Sequence, residues 1–325
     1  MTGGAGPAAA AGGSRTDSPA AGRTEYRGAG SGTESQAGGS RRTGTVTGAR
    51  TASPAADPSA GDIGPADGPA GPARSAYLLP RQAEPASARL RLFCFHHAGG
   101  AASSFSGWQS RLGGAISVVP VQLPGREHRA REPRLHDFAR LVDELDEALD
   151  PLMDAPYAFY GHSMGGIVAY ELARRRVVQG RTPPRQLLVG ACPPPHTPRG
   201  DISPDRLTDE ELTAWMTRLD GVPELVLRYP EWLRLAVAVL RDDLRLAHSR
   251  VPGTDHEPLP VPVRVLAGSS DPLVTPRIAA DWARHTSADF RVFTLTGGHF
   301  FHRSAPAIVL RLISSLLAAE HAARS

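Results

Sequence analysis

The chain has 325 residues, with 36 basic side chains, all arginine, against 33 acidic ones, for a formal charge of only +3. Both signs are mixed along it, so the nominal pI of about 9.2 describes no basic stripe, and nucleic-acid binding is set aside. No apolar run is long enough to span a bilayer, and "MTGGAGPAAAAGGS" lacks the basic start and Leu-rich stretch of a secretory signal, so a soluble cytoplasmic protein with no membrane role is expected. The two cysteines, Cys94 and Cys192, lie in apolar runs, as buried free thiols of a reducing compartment would.

Residues 1–85 are dominated by Gly, Ala, Ser, Thr and Pro with almost no large aliphatic side chain. Such a segment cannot bury enough apolar surface to offset its ordering entropy, and it is expected to be a disordered tail. From 86 to 325 short apolar runs alternate with amphipathic stretches, the pattern of an α/β domain with a mainly parallel sheet. The predicted strands are Leu90–Phe95, Ile116–Leu123, Tyr157–Tyr160, Gln186–Cys192, Val263–Gly268 and Phe290–Leu295, nearly continuous in apolar residues as strands covered on both faces should be. Helices are predicted over Phe138–Leu149, Gly165–Val178, Arg277–His285 and Ala305–Leu317. Residues 201–250 break the rhythm: helical periodicity without a strand follows the prolines of "ACPPPHTPRG", with Leu212, Trp215, Met216 and Leu219 on one face and Leu233, Val237, Leu240 and Leu244 on another. This insert is expected to sit as a lid over the carboxyl edge of the sheet or to pack on the main core, which are compatible roles.

Between a predicted strand and a predicted helix stands "YGHSMGG", a Gly-x-Ser-x-Gly pattern centred on Ser163. A nucleophile on so sharp a turn needs neighbours without bulk, which Gly161, Gly165 and Gly166 provide. Asp271 follows the fifth predicted strand in "GSSDPLV", and His299 follows the last in "TGGHFF". The order Ser, Asp, His, each just past a strand, is that of a nucleophile, an orienting acid and a base gathered at one sheet edge. Asp289 precedes a strand instead of following one; His302 is expected to be a surface or cap residue and His162 a packing residue. The backbone N–H of Met164 and one from "HHAGG", with Ala98 preferred and Gly99 second, are the expected oxyanion donors. No metal or other cofactor is expected.

These residues resemble the stand-alone type II thioesterases that accompany polyketide synthases and nonribosomal peptide synthetases. The likeness runs from about Arg89 to Leu317 and rests on "LFCFHHAGG", "VQLPGREHR", "YGHSMGG", the helical insert, "GSSDPLV" and "GGHFF"; "LPGRE" is the most specific of them. It implies an α/β-hydrolase fold with a helical lid, Ser163, Asp271 and His299 as a triad, and an editing role on thioesters borne by the phosphopantetheine arm of an acyl or peptidyl carrier protein. A monomer is expected. His96 stands where that family usually has proline, so the first loop is expected to be slightly looser; the long tail is also unusual, and is expected to be a flexible extension or the product of an upstream start codon. Arg126, Arg129, Arg131 and Arg134 are candidates for a basic surface facing an acidic carrier. The alternatives are a carboxylesterase or lipase of the same fold, and a catalytically silent binding protein.

Overall fold

A computed structural model of the chain describes residues 76–79, 85–198, 202–252 and 257–322. Six strands, β1 (Leu90–Phe95), β2 (Ile116–Pro120), β3 (Tyr157–His162), β4 (Leu187–Gly190), β5 (Val263–Gly268) and β6 (Phe290–Leu295), form one sheet in the order β2-β1-β3-β4-β5-β6. Every neighbouring pair is parallel, so all strand carboxyl ends share one edge, where ligands bind in open α/β sheets.

Alternation along the strands separates two cores. Phe93, Phe95, Tyr157 and Phe159 point to one face, where α2 (Phe138–Leu149) and α3 (Met164–Val178) pack. Leu92, Cys94, Ala158 and Tyr160 point to the other, against Trp108 and Leu112 of α1 (Trp108–Leu112) and a later helix bearing Val309, Leu310 and Ile313. In α2 the residues Phe138, Leu141, Val142, Leu145 and Leu149 are buried, and each full burial contributes about 1.5–3 kcal/mol. Asp137 caps that helix by accepting from the Arg140 N–H, which satisfies one of its unpaired first-turn donors.

The insert folds as α4 (Asp209–Arg218), α5 (Glu224–Leu227) and α6 (Pro230–Ser249). Thr208 and Glu211 close a capping box at the start of α4, and Pro230 sits in the first turn of α6, where its missing N–H costs nothing. The two apolar faces meet as Leu212, Met216 and Leu219 against Val237 and Leu240, together with Phe300 from the last loop. The remaining helices are α7 (Pro276–Ala280), α8 (Phe301–Ser304) and α9 (Pro306–Ala322), with a 3-10 turn over Asp281–His285.

The strand ends differ from expectation for local reasons. β2 stops at Pro120 and not Leu123: Val121 still donates to the Cys94 carbonyl at 2.9 Å but bridges Leu78 in antiparallel sense. β3 runs on through Gly161 and His162, which still pair with Val189 and Gly190 of β4. The expected tail before residue 76 lies outside the described residues, but 76–79 correct its boundary at 85. Tyr77 is buried, its hydroxyl donates to Glu144 at 2.6 Å, and the Arg129 guanidinium stacks over its ring at 4.2 Å. With the Leu78–Val121 bridge and the Gln122 N–H donating to the Tyr77 carbonyl at 2.9 Å, this side chain fastens the segment to the sheet edge.

Candidate active site

β3 delivers Ser163 to the first position before α3, at φ 53° and ψ −120°. A residue with a Cβ occupies that region only when its surroundings hold it there, at a cost of about 1–3 kcal/mol. The Ser163 N–H donates to the Gly190 carbonyl at 2.8 Å, and the turn closes because Gly161 and Gly165 lack side chains. A Cβ at Gly161 would overlap the Gly165 carbonyl, and one at Gly165 the Phe95 carbonyl.

The loop after β6 brings His299 beside this serine, with Nε2 3.1 Å from Ser163 Oγ. Its Nδ1 lies 2.9 Å from Asp271 Oδ2, and both side chains are buried. The other carboxylate oxygen, Oδ1, accepts from the N–H groups of Leu273 and Val274 at 2.9 and 3.2 Å. Asp271 can only accept here, so Nδ1 carries the imidazole proton and the Nε2 lone pair faces the hydroxyl.

Two histidines with no part in this relay support it. His162, wholly buried, spans from Tyr160 Oη to the His299 carbonyl, at 3.2 and 2.9 Å, and so braces the backbone of the loop. His302 is not the surface or cap residue expected. The single turn α8 folds both Phe301 and His302 inward, leaving the His302 ring 2 % exposed and 3.8 Å from the His162 ring, with neither nitrogen hydrogen-bonded. Burial, and then the neighbouring His162, hold its pKa well below 6.5, so the ring is neutral.

The first loop separates the two oxyanion candidates. The Gly99 N–H donates to Asp243 Oδ2 at 2.8 Å and is already engaged. Neither Ala98 N–H nor Met164 N–H has an acceptor among the described residues, and both residues line the cavity that holds Ser163 and His299. His96, expected to loosen this loop, turns its Nδ1–H onto the His97 carbonyl at 2.9 Å, a bond that proline could not make.

Of the four arginines that were candidates for a carrier-facing surface, Arg126 and Arg129 are buried. Arg126 is buried and pairs with Asp243 of α6 through two bonds of 2.6 and 2.7 Å, while also donating to the Gly100 carbonyl at 3.2 Å. It therefore ties the lid to the loop that presents Ala98. Arg129 is buried too, against Glu132, the Gln122 carbonyl and Tyr77. Arg134 pairs with Asp242 of α6 at 2.6 Å, and Arg131 alone of the four is exposed and outside these pairs. A guanidinium in a polar loop reads as solvated until its carboxylate partner, 117 residues further on for Arg126, is in place.

Residues 90–317 match the profile of the thioesterase domain family. The chain belongs to the thioesterase family. Among solved structures, this thioesterase resembles RedJ, from the prodiginine biosynthetic pathway in Streptomyces coelicolor, at 35% identity and TM-score 0.66, over 71% of this chain and 87% of that one. BorB, a type II thioesterase from the borrelidin biosynthetic cluster, is 36% identical with TM-score 0.65, over 72% and 94% of the two chains. A curated relative from Brevibacillus parabrevis, named linear gramicidin dehydrogenase LgrE, is 36% identical over 71% of this chain and 89% of its own length. That name does not carry over to the thioesterase here. In this chain the serine, histidine and aspartate meet within hydrogen-bonding distance.

Among the described residues no helix is long and apolar enough to cross a membrane, and no group of side chains is arranged to hold a metal.

Proposed function

We propose that the chain hydrolyses acyl thioesters carried on the phosphopantetheine arm of an acyl or peptidyl carrier protein, as an editing enzyme of polyketide or nonribosomal peptide assembly. The observation that carries this reading is the unbroken hydrogen-bonded line from Asp271 through His299 to Ser163, opening into a cavity walled by lid residues. Similarity to type II thioesterases of such pathways supports the substrate class.

His299, oriented by Asp271, takes the Ser163 proton as Oγ attacks the thioester carbonyl. Negative charge then develops on the carbonyl oxygen, where the N–H groups of Met164 and Ala98 receive it. Collapse expels the phosphopantetheine thiolate, which takes up the proton held by His299, leaving an acyl-serine beside a neutral imidazole. A thiolate is a far better leaving group than an amide nitrogen, its conjugate acid having a pKa of about 8.5, so the site needs little acid assistance at that step. Water activated by His299 next attacks the acyl-serine, and Ser163 recovers its proton as the free acid departs. The enzyme acts as a monomer in the cytoplasm, where carrier proteins are loaded.

The test is release of free acid from an acyl carrier protein loaded with a radiolabelled acyl group, by wild type and Ser163→Ala, beside hydrolysis of the matching ethyl ester. The reading requires fast thioester cleavage that is lost in the variant. Release unchanged by the substitution, or an oxygen ester cleaved faster than the thioester, would overturn it in favour of a silent fold or a carboxylesterase.

A further inference from the structure

Among the described residues, the cavity that holds Ser163 adjoins a second one. The first, of about 200 Å3, is bounded by Ser163, Ile167, Pro193, Trp215 and Leu244. The second, of about 190 Å3, is bounded by Leu212, Val222, Val226, Leu233 and Val237. Among the described residues only His97, Met216 and Leu240 line both, so these three form the wall between them. Each chamber alone is smaller than the ~300–1,000 Å3 typical of small-molecule sites, and the two joined reach that range.

We infer that these are acyl-binding chambers in series, divided by a movable Met216, and that the substrate is an uncharged aliphatic acyl group whose usable length is set at that residue. The inference rests on the thioester-hydrolysing role of Ser163 proposed above.

Two of the three wall residues are held. The His97 ring stands edge-on to Phe300, with centroids 4.9 Å apart, and fills the space left by Gly100. Leu240 lies on α6 against Gly99, in van der Waals contact with where a Cβ would be, and α6 is anchored to the same loop by the Arg126–Asp243 pair. Met216 is different. It is unbranched, it reaches over from α4, and its Cε occupies the place a side chain at Gly221 would take. A thioether with three rotatable bonds can change rotamer at small cost and refit an irregular gap. Withdrawal of its methyl end would join the chambers without moving either helix.

The chemistry of the lining selects the ligand. Among the described residues, neither chamber is lined by an Asp, Glu or Arg side chain. An ammonium or carboxylate on the bound group would lose its water without gaining a counter-charge. Aminoacyl and dicarboxylic acyl groups are therefore disfavoured, short aliphatic chains fit the first chamber, and longer ones require the second.

The experiment measures kcat/KM for acetyl, butyryl, octanoyl, alanyl and malonyl thioesters of N-acetylcysteamine with wild type, Met216→Ala and Val237→Phe, each checked for a native unfolding transition. Met216→Ala joins the chambers and should raise the octanoyl-to-butyryl ratio by roughly tenfold or more, since each methylene gained in an apolar site is worth a severalfold preference. Val237→Phe fills the far chamber and should lower the same ratio. Wild type should prefer butyryl to alanyl and malonyl by a similar factor. Ratios unmoved in both variants, or alanyl cleaved as well as butyryl, would overturn the inference while leaving the thioesterase reading intact. Failure of wild type on every thioester, N-acetylcysteamine-linked and carrier-bound alike, would overturn both.

Discussion

Replacing Asp243 by alanine tests whether the lid and the oxyanion loop are one mechanical unit. Asp243 accepts from Arg126 at 2.6 and 2.7 Å and from the Gly99 N–H at 2.8 Å, in a pair whose side chains are 6% and 2% exposed. Without it the Arg126 guanidinium stays buried with only the carbonyls of Gly100 and Pro124, at 3.2 and 3.3 Å. Removing one partner of such a pair costs about 3–5 kcal/mol, and that loss should appear as a lower denaturant midpoint. The rate should fall as well, because Gly99 is adjacent to the Ala98 donor and loses its tether. Complete loss of one oxyanion donor costs about 10²–10³ in kcat, so a displaced donor should cost a part of that, with KM little changed. The double variant Arg126→Ala/Asp243→Ala should lose less stability than the two single losses added, since no buried charge is then stranded. A single variant within about 1 kcal/mol of wild type, the value of an exposed pair, and with unaltered kcat would refute the coupling.

Asp271→Asn keeps the shape of the relay but loses the carboxylate that dictates the tautomer, and kcat should drop by roughly 10⁴, measured by single-turnover acid release. Ser163→Gly should be inactive yet more stable than wild type by roughly 1 kcal/mol, because glycine relieves the φ of 53°; Ser163→Ala should bring no such gain in urea unfolding. Gly165→Ala should lose several kcal/mol or fail to fold, since its Cβ overlaps the Phe95 carbonyl; a circular-dichroism melt matching wild type would argue against the close strand-helix approach. Burial holds the pKa values of His97, His162 and His302 well below 6.5. The unfolded chain therefore takes up protons that the native state refuses: stability is present in full above pH 6.5 and is lost as pH falls below it, towards the lowered native values. Each such histidine adds up to about 1.4 kcal/mol per pH unit to the slope. His302→Phe should flatten the fall in unfolding free energy between neutral pH and about pH 5 by that amount, and an unchanged slope would show that His302 does not contribute.

Local order was legible wherever hydrophobic periodicity and its breakers agreed. β1, β5, β6 and α2 have the bounds expected of them, because each is a short apolar run or a helical stripe, and the forces that form it act within a few residues. The order of Ser163, Asp271 and His299 was legible for a similar reason: in a parallel sheet every strand end meets the same edge, so three residues just past strands converge whatever lies between them. The sequence by itself therefore determined the layered fold, the carboxyl edge as the site, and the three side chains that gather there. Only the tertiary structure decided what holds them: that Arg126 and Arg129 are buried, that Asp243 takes Gly99 and leaves Ala98 free, that His302 faces inward, that Tyr77 clasps the sheet edge, and that Met216 divides the cavity. Each of these depends on a partner far along the chain, and whether a charge or an imidazole is solvated or buried is settled by that partner's arrival, not by the residues beside it.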